Sequence, residues 1–275
     1  MRKTKLPIMI SVPHGGHKVP RKYRGIFIPS RQEVLKDGDT WTRDLYRFKG
    51  RVRYCMQCSV ARAVLDLNRV KEDRPPENPD GIIKTHTLFE TPVWKHSLSD
   101  QSTEQLIQKV YDPYYDRLLR FAADPLLKLG IDCHSMMEDD PFDKDADKRP
   151  LFCISNLGGL NGEYVGEPLS APTEMLVRLK HTLESVFGEG CVLLNAPFKG
   201  GAIIKTMRDK SRIPWIQLEI NRKLYLDESV RITKRPRGKA KRVVSTLNQS
   251  LYECFMKLGL EETVEPTLKK QPEGM

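Results

Sequence analysis

The chain has 275 residues, 39% of them apolar and 30% charged, with a net charge of +10. That is length and apolar content enough for a sizeable core, so disorder is not the default, and no apolar run approaches the roughly 18 residues that a membrane span requires. The six cysteines, at positions 55, 58, 133, 153, 191 and 254, are too dispersed for the disulfide framework of a small secreted protein, so buried thiols and a cytoplasmic location are expected.

The N-terminal Met1-Arg2-Lys3-Thr4-Lys5 is charged like a leader, but the apolar stretch after it is short and broken by Pro7 and Pro13, which suits a first strand. Ile8 to Val12 is that strand, apolar on both faces as buried parallel strands are, and it closes on Pro13-His14-Gly15-Gly16. A helix is expected over Gln32 to Phe48, with Trp41, Leu45 and Phe48 at helical spacing and Asp37, Asp39 and Asp44 among them. Ser59 to Leu67 reads as a second strand and the Pro-rich Lys71 to Gly81 as loop.

Asp100 to Phe121 is an amphipathic helix with Leu106, Val110, Tyr114, Leu118 and Phe121 on one stripe. A strand over Leu126 to Cys133 leads into His134, and an acidic, lid-like loop follows over Glu138 to Asp147. Strands Leu151–Ser155, Cys191–Leu194 and Trp215–Ile220 and helices Pro172–Phe187 and Ala240–Leu258 complete the pattern, with a frayed tail from Glu261. Alternating strands and helices imply one α/β domain over 1–260 around a mixed, largely parallel sheet between helical layers.

The charge excess invites a nucleic-acid reading, since Lys and Arg neutralise phosphate. Basic residues are nevertheless interleaved with acids, and the single dense run, Arg231 to Arg242 (RITKRPRGKAKR), falls between a strand and the terminal helix, where a solvated loop is expected. Nucleic acid is thus an unlikely partner, and a small anionic substrate suits the positive field equally well.

Chemistry concentrates at strand ends. His14 and His134 each lie where a buried strand reaches the sheet edge at which open α/β folds bind ligands, and imidazole is a common zinc donor. Asp66-Leu67-Asn68-Arg69 also closes an apolar run, and Glu219 sits between Leu218 and Ile220, where a carboxylate needs a partner or a task. Asp132 precedes His134 by two residues and so shares its face of a strand, placed either to orient that histidine or to steady a neighbouring loop. Cys55 and Cys58 form a lone CxxC, a weak signal for zinc or redox chemistry.

SVPHGG, an aspartate-rich segment leading to Asp44-Leu45-Tyr46, ARAVLDLNR, DCHS, NAPFKGG and QLEINRKLY occur in this order between Pro7 and Glu228. In that order they resemble the N-formylglutamate amidohydrolase family. The resemblance implies a three-layer α/β/α sandwich similar to the zinc carboxypeptidases and a zinc-dependent hydrolase of N-formyl-L-glutamate or a similar N-acyl acidic amino acid. It implies His14 and His134 as Zn2+ ligands with an acid from Asp37 to Asp44; Asp39 is favoured, and Asp37 and Asp44 stay open. Glu219 takes the part of general base, with a buried ion pair to Arg222 or Arg69 as its alternative, and Asn68 and Arg69 that of a carboxylate clamp. Arg222 would meet a second carboxylate, and Asn195, Lys199, Gly200 and Gly201 would line the pocket.

Two positions depart from the family pattern. Gly16 stands where many members have serine, and Tyr115 where relatives often have histidine, a change that bears on which acyl-amino acid fits. The other readings are a peptidase or another N-acyl amino acid hydrolase on the same centre, and a non-catalytic nucleic-acid-binding protein using the run 231–242.

Overall fold

Strand β1 (Leu6–Val12) is buried along its whole length, and its alternation sorts side chains between two cores: Ile8, Ile10 and Val12 enter one and Met9 the other. The computed structural model describes residues 5–260 except 142, 144, 146 and 228. After β1 come α1 (Arg31–Asp37), α2 (Thr42–Leu45), β2 (Val52–Gln57), α3 (Asp100–Leu106), α4 (Asp112–Ala122), β3 (Leu129–Met136) and β4 (Phe152–Ser155). Then follow α5 (Thr173–Phe187), β5 (Val192–Leu194), α6 (Ala202–Lys210), β6 (Trp215–Asn221) and α7 (Gly238–Met256). The six strands form one sheet in the order β2-β1-β3-β6-β4-β5. All neighbouring pairs run parallel except β4 with β6, so the expected mixed, largely parallel α/β sheet is the one observed.

One face of the sheet packs on α5 and α7 through Leu176, Leu183, Leu247, Leu251 and Phe255. The other packs on α3, α4 and α6 through Leu106, Tyr114, Leu118, Ile203 and Met207. Beneath α6, Trp215 lies over Gly130 of the neighbouring strand so closely that a Cβ there would be 2.3 Å from the indole ring. Gly130→Ala is therefore expected to cost about 1–3 kcal/mol, as overpacking of a filled core does, read as a lower urea midpoint.

Three expectations change. The helix over Gln32–Phe48 is two short helices: a Ser30/Glu33 capping box starts α1, and Gly38, extended at φ −82° and ψ 176°, turns the chain out of it. The break is held from a distance, because the buried Arg222 guanidinium donates to the carbonyls of Lys36 and Gly38, each at 2.8 Å. A continued helix would have used those carbonyls internally.

Ser59–Leu67 is not a strand. After an isolated bridge between Lys18 and Val60 the chain turns, with Val64 N and Leu65 N donating to Ala61 O. Its apolar residues are buried on all sides of the turn rather than alternately, a case that a short apolar run does not distinguish from a core strand. The strand is instead Val52–Gln57, whose arginine and half-buried residues befit an edge. Helix α6 is an addition to the expected elements, and β3 extends to Met136, so His134 lies within the strand.

No helix among the described residues is long and apolar enough to cross a membrane. The tail from Glu261 lies outside the described residues, as do Phe142, Lys144 and Ala146 of the acidic loop.

Candidate metal centre and active site

Pro13 and His14 leave β1 at the edge where β3 carries His134, and the two imidazoles meet edge to face with centroids 4.8 Å apart. The carboxylate of Asp39 completes the group, with Oδ2 3.3 Å from His134 Nδ1 and 3.8 Å from His14 Nδ1. Asp39 stands here because of the Gly38 break: its N–H donates to His14 O at 3.1 Å, and its Oδ1 lies 3.5 Å from Arg222. Asp37 turns elsewhere and accepts from Leu88 N, while Asp44 sits in the first turn of α2.

Each histidine is oriented from behind. His14 Nε2 is 2.8 Å from Asp66 Oδ1, and His134 Nε2 is 2.8 Å from Asp132 Oδ2. The carboxylate of Asp132 also accepts from Ser11 Oγ at 2.7 Å, and Ser11 in turn meets Tyr114 of α4. Burial would raise the Asp66 pKa, but His14, Arg62 and Lys84 outweigh it and hold the carboxyl well below the usual range. A carboxylate only accepts, so each Nε2 donates and each Nδ1 faces Asp39, where a ring in its neutral form would offer a lone pair.

The fit to a metal follows from that inventory. Asp39 Oδ2 is buried and has no hydrogen-bond partner, and its pKa is held at about 2: burial opposes the charge, and His134, His14 and Arg222 prevail. Ligand atoms of His14, Asp39 and His134 all lie within 4.8 Å of one another. Converging acceptors at a buried point call for a cation, and two imidazoles with one carboxylate is a donor set suited to zinc with a position left open. The surroundings favour positive charge on the ring itself as well: burial disfavours the imidazolium of His134, yet Asp132 and Glu219 raise its pKa well above the usual value. Asp132→Asn is expected to weaken metal binding about 10–100-fold, the usual cost of losing a hydrogen bond behind a ligand, measured by competition with a chelator.

Glu219 lies opposite His134 in the β3–β6 register and is 7% exposed. Burial, helped by the charges of Asp39 and Asp132 and partly offset by His134 and Arg222, raises its pKa to about 7. Gln217, two residues earlier on the same face, donates through Nε2 to Glu219 Oε1 at 3.0 Å. Gln217 Oε1 accepts from Gly201 N at 2.9 Å and meets Asn68 Nδ2 at 3.5 Å. Asn68 and Gly201 thereby brace the carboxylate through Gln217, and a Cβ on Gly201 would collide with the Asn68 side chain at 2.2 Å. A buried carboxyl poised near neutrality beside a candidate cation site is an arrangement suited to proton transfer.

The sequence profile of N-formylglutamate amidohydrolase matches residues 6–226. This chain belongs to that family. Its fold is similar to a crystal structure of N-formylglutamate amidohydrolase from Ralstonia eutropha JMP134, at 18% identity and a TM-score of 0.71 over 92% of each chain. It is also similar to the structure of a gene product from Agrobacterium tumefaciens, at 14% identity and a TM-score of 0.58 over 92% of each chain. No curated protein sequence matches this one significantly.

Against the family pattern, the remaining residues divide. Arg222 is buried and bonds Ser135 Oγ as well as the carbonyls of Lys36 and Gly38, so its guanidinium steadies the segment that carries Asp39. Arg69 is half-exposed and lies on Asp80, donating to its carbonyl at 2.8 Å and to its carboxylate at 2.5 Å. Asn195, at φ 53°, is buried and its side chain bonds Asn156 and Gly159 O, fixing a neighbouring loop. Gly200 takes φ +121° and Lys199 is exposed. The hydroxyl of Tyr115 donates to Leu67 O at 2.8 Å, beneath Asn68.

Gly16 is confined, because a Cβ there would lie 2.1 Å from the Val60 carbonyl oxygen and 2.5 Å from the Ser59 carbonyl carbon, so the 59–60 backbone leaves no room for a side chain. Asp66 and Gln217 were not singled out as site residues by the sequence. The available signals were the charge closing ARAVLD and the alternation that puts Gln217 on the face of Glu219.

His14 and Asp39 open into a cavity of about 2130 Å³ that continues past Arg43, along β2 and beneath the 231–237 loop. The basic run is a loop as far as Arg237, and its remainder begins α7. Burial first, and then the charges of Lys234, Arg43, Arg31 and Lys18, lower the pKa of His17 in the cavity wall.

Proposed function

We propose that the protein is a zinc-dependent hydrolase that cleaves the amide bond of N-formyl-L-glutamate or a similar N-acyl acidic amino acid. The observation that carries this reading is the convergence of His14 Nδ1, His134 Nδ1 and the unpartnered Asp39 Oδ2 beside a carboxyl of pKa about 7. His14, Asp39 and His134 would hold the ion. When bound, zinc supplies Lewis acidity to an acyl carbonyl and makes water acidic enough to ionise near neutral pH.

The carboxylate of Glu219 accepts a proton from the attacking water and hands it to the amine nitrogen as the acyl carbon–nitrogen bond breaks, giving formate and glutamate from the formyl substrate. Gln217 keeps one carboxylate oxygen in place for both transfers. Asn68 and Arg69 are proposed to meet the substrate's free carboxylate, Arg69 by exchanging the Asp80 carboxylate for that of the substrate, since its planar fork pairs either. Arg222 positions Asp39, and the positive cavity draws anionic substrates inward.

The test is metal content by mass spectrometry together with formate release from N-formyl-L-glutamate, with and without chelator. The expected result is about one zinc per chain, as a single three-ligand site holds, with turnover that the chelator abolishes. Turnover that survives complete metal removal would overturn the mechanism.

A further inference from the structure

The cavity is far larger than a formylated amino acid needs, and its long wall is a sheet edge. Among the strands of the sheet β2 pairs only with β1, its outer edge being met only at Val52 by a bridge to Lys49, and Val52, Arg53, Cys55, Met56 and Gln57 line the cavity. An exposed strand edge presents backbone N–H and C=O groups that accept a further strand. Gln57, the last residue of β2, lies opposite Val12, and His14 is two residues beyond Val12. The carboxyl end of that edge therefore points to the metal centre. β2 has six residues, and at roughly 3.3 Å per residue a partner of equal length spans about 20 Å.

The groove is basic on both flanks of that edge, since α7 and α4 pack on opposite faces of the sheet. Arg231, Lys234, Arg235 and Arg237 come from the run preceding α7, and Arg117 comes from α4. None of these five pairs with a carboxylate among the described residues, so their charge is available to an incoming anion.

We propose that this groove docks an extended acidic polypeptide segment, which adds as a strand along the edge of β2, sets its carboxylates against the 231–237 arginines and lysine, and brings its end to His14 and Asp39. As a statement of substrate class this rests on the amidohydrolase reading of the centre; the docking itself is measurable without turnover. The edge favours a polypeptide over a single-stranded nucleic acid, which needs open aromatic faces for its bases. The two aromatic rings lining the cavity are engaged: Phe121 is stacked on Tyr54 at 4.4 Å, and Trp41 donates to Thr233 O and packs against Tyr225.

The experiment is fluorescence anisotropy on the full chain with three labelled probes: a ten-residue peptide alternating Glu and Thr, the same peptide N-methylated at alternate residues, and a single-stranded RNA of equal charge. The plain peptide is expected to bind saturably, and N-methylation to weaken it about tenfold or more, the equivalent of 1.4 kcal/mol. Combined Lys234→Glu, Arg235→Glu and Arg237→Glu should weaken it at least as much while metal content stays unchanged. If that triple variant fails to fold, Arg117→Glu tests the other flank.

Equal binding of the N-methylated peptide would overturn strand addition. Tighter binding of the RNA would overturn the polypeptide assignment, and indifference to the charge reversals would overturn the groove. Absent docking beside intact formate release refutes the groove alone, whereas docking without hydrolysis of any N-formylated acidic peptide or amino acid refutes the amidohydrolase reading.

Discussion

Asp39→Asn is expected to remove stoichiometric metal from the purified protein, with affinity falling by more than the roughly 10–100-fold that a lost supporting hydrogen bond costs. The reason is the inventory of charges at one point. Asp39 brings the only carboxylate among the three converging ligands, and its Oδ2 has no other partner to satisfy. An asparagine keeps the shape and the contact of Oδ1 with Arg222 but takes away the charge that offsets a divalent ion.

The comparison that makes the result specific is Asp37→Asn. Asp37 is equally buried and also has one oxygen without a partner, yet its other oxygen accepts from Leu88 N and it faces away from the histidines. That variant should retain its metal, as measured by mass spectrometry on protein of confirmed fold. Loss of metal from Asp37→Asn with retention in Asp39→Asn would exchange their roles.

Asp39 carries a pH dependence in the metal-free protein as well. Its carboxyl pKa is depressed from 3.8 to about 2, so the stabilisation it contributes is present above pH 3.8 and is lost as the pH falls through about 2.

The histidines were legible because each follows a buried apolar run, Glu219 because it interrupts one, and Asp132 because side chains two apart on a strand share a face. The layers were legible too, since strands and helices alternate along the chain. What escaped was set by partners distant in sequence. Asp39 could not be separated from Asp37 and Asp44 while all three seemed to belong to one helix, and the break that separates them is held by Arg222.

Likewise, β2 carries an arginine that an edge strand tolerates and a buried strand does not, whereas the apolar 59–67 segment looked the better strand and is a turn packed on the core. With β2 unrecognised, the basic run had no groove to line and looked like a solvated loop. The order of β3, β6 and β4, which sets Glu219 beside His134, is a property of the sheet that no local pattern encodes.

Glu219→Gln is expected to lower turnover of N-formyl-L-glutamate by about 10²–10⁴-fold, the usual contribution of a positioned proton-transfer group, with metal content unchanged. Glutamine is nearly isosteric and keeps an acceptor for Gln217 Nε2, so the sheet should be undisturbed. What it loses is the ability to take up and release a proton.

The pH profile separates that role from a structural one. Burial raises the Glu219 pKa to about 7, and a cation held by its neighbours would lower it by favouring the ionised form. Wild-type activity should therefore rise with pH along a limb whose midpoint lies at or below about 7, as the carboxylate forms. The variant's residual activity should lack that limb. A variant that keeps the limb while losing most of its rate would assign the proton transfer to another group and leave Glu219 a structural part. A variant that loses its zinc would show instead that the carboxylate is needed to assemble the centre.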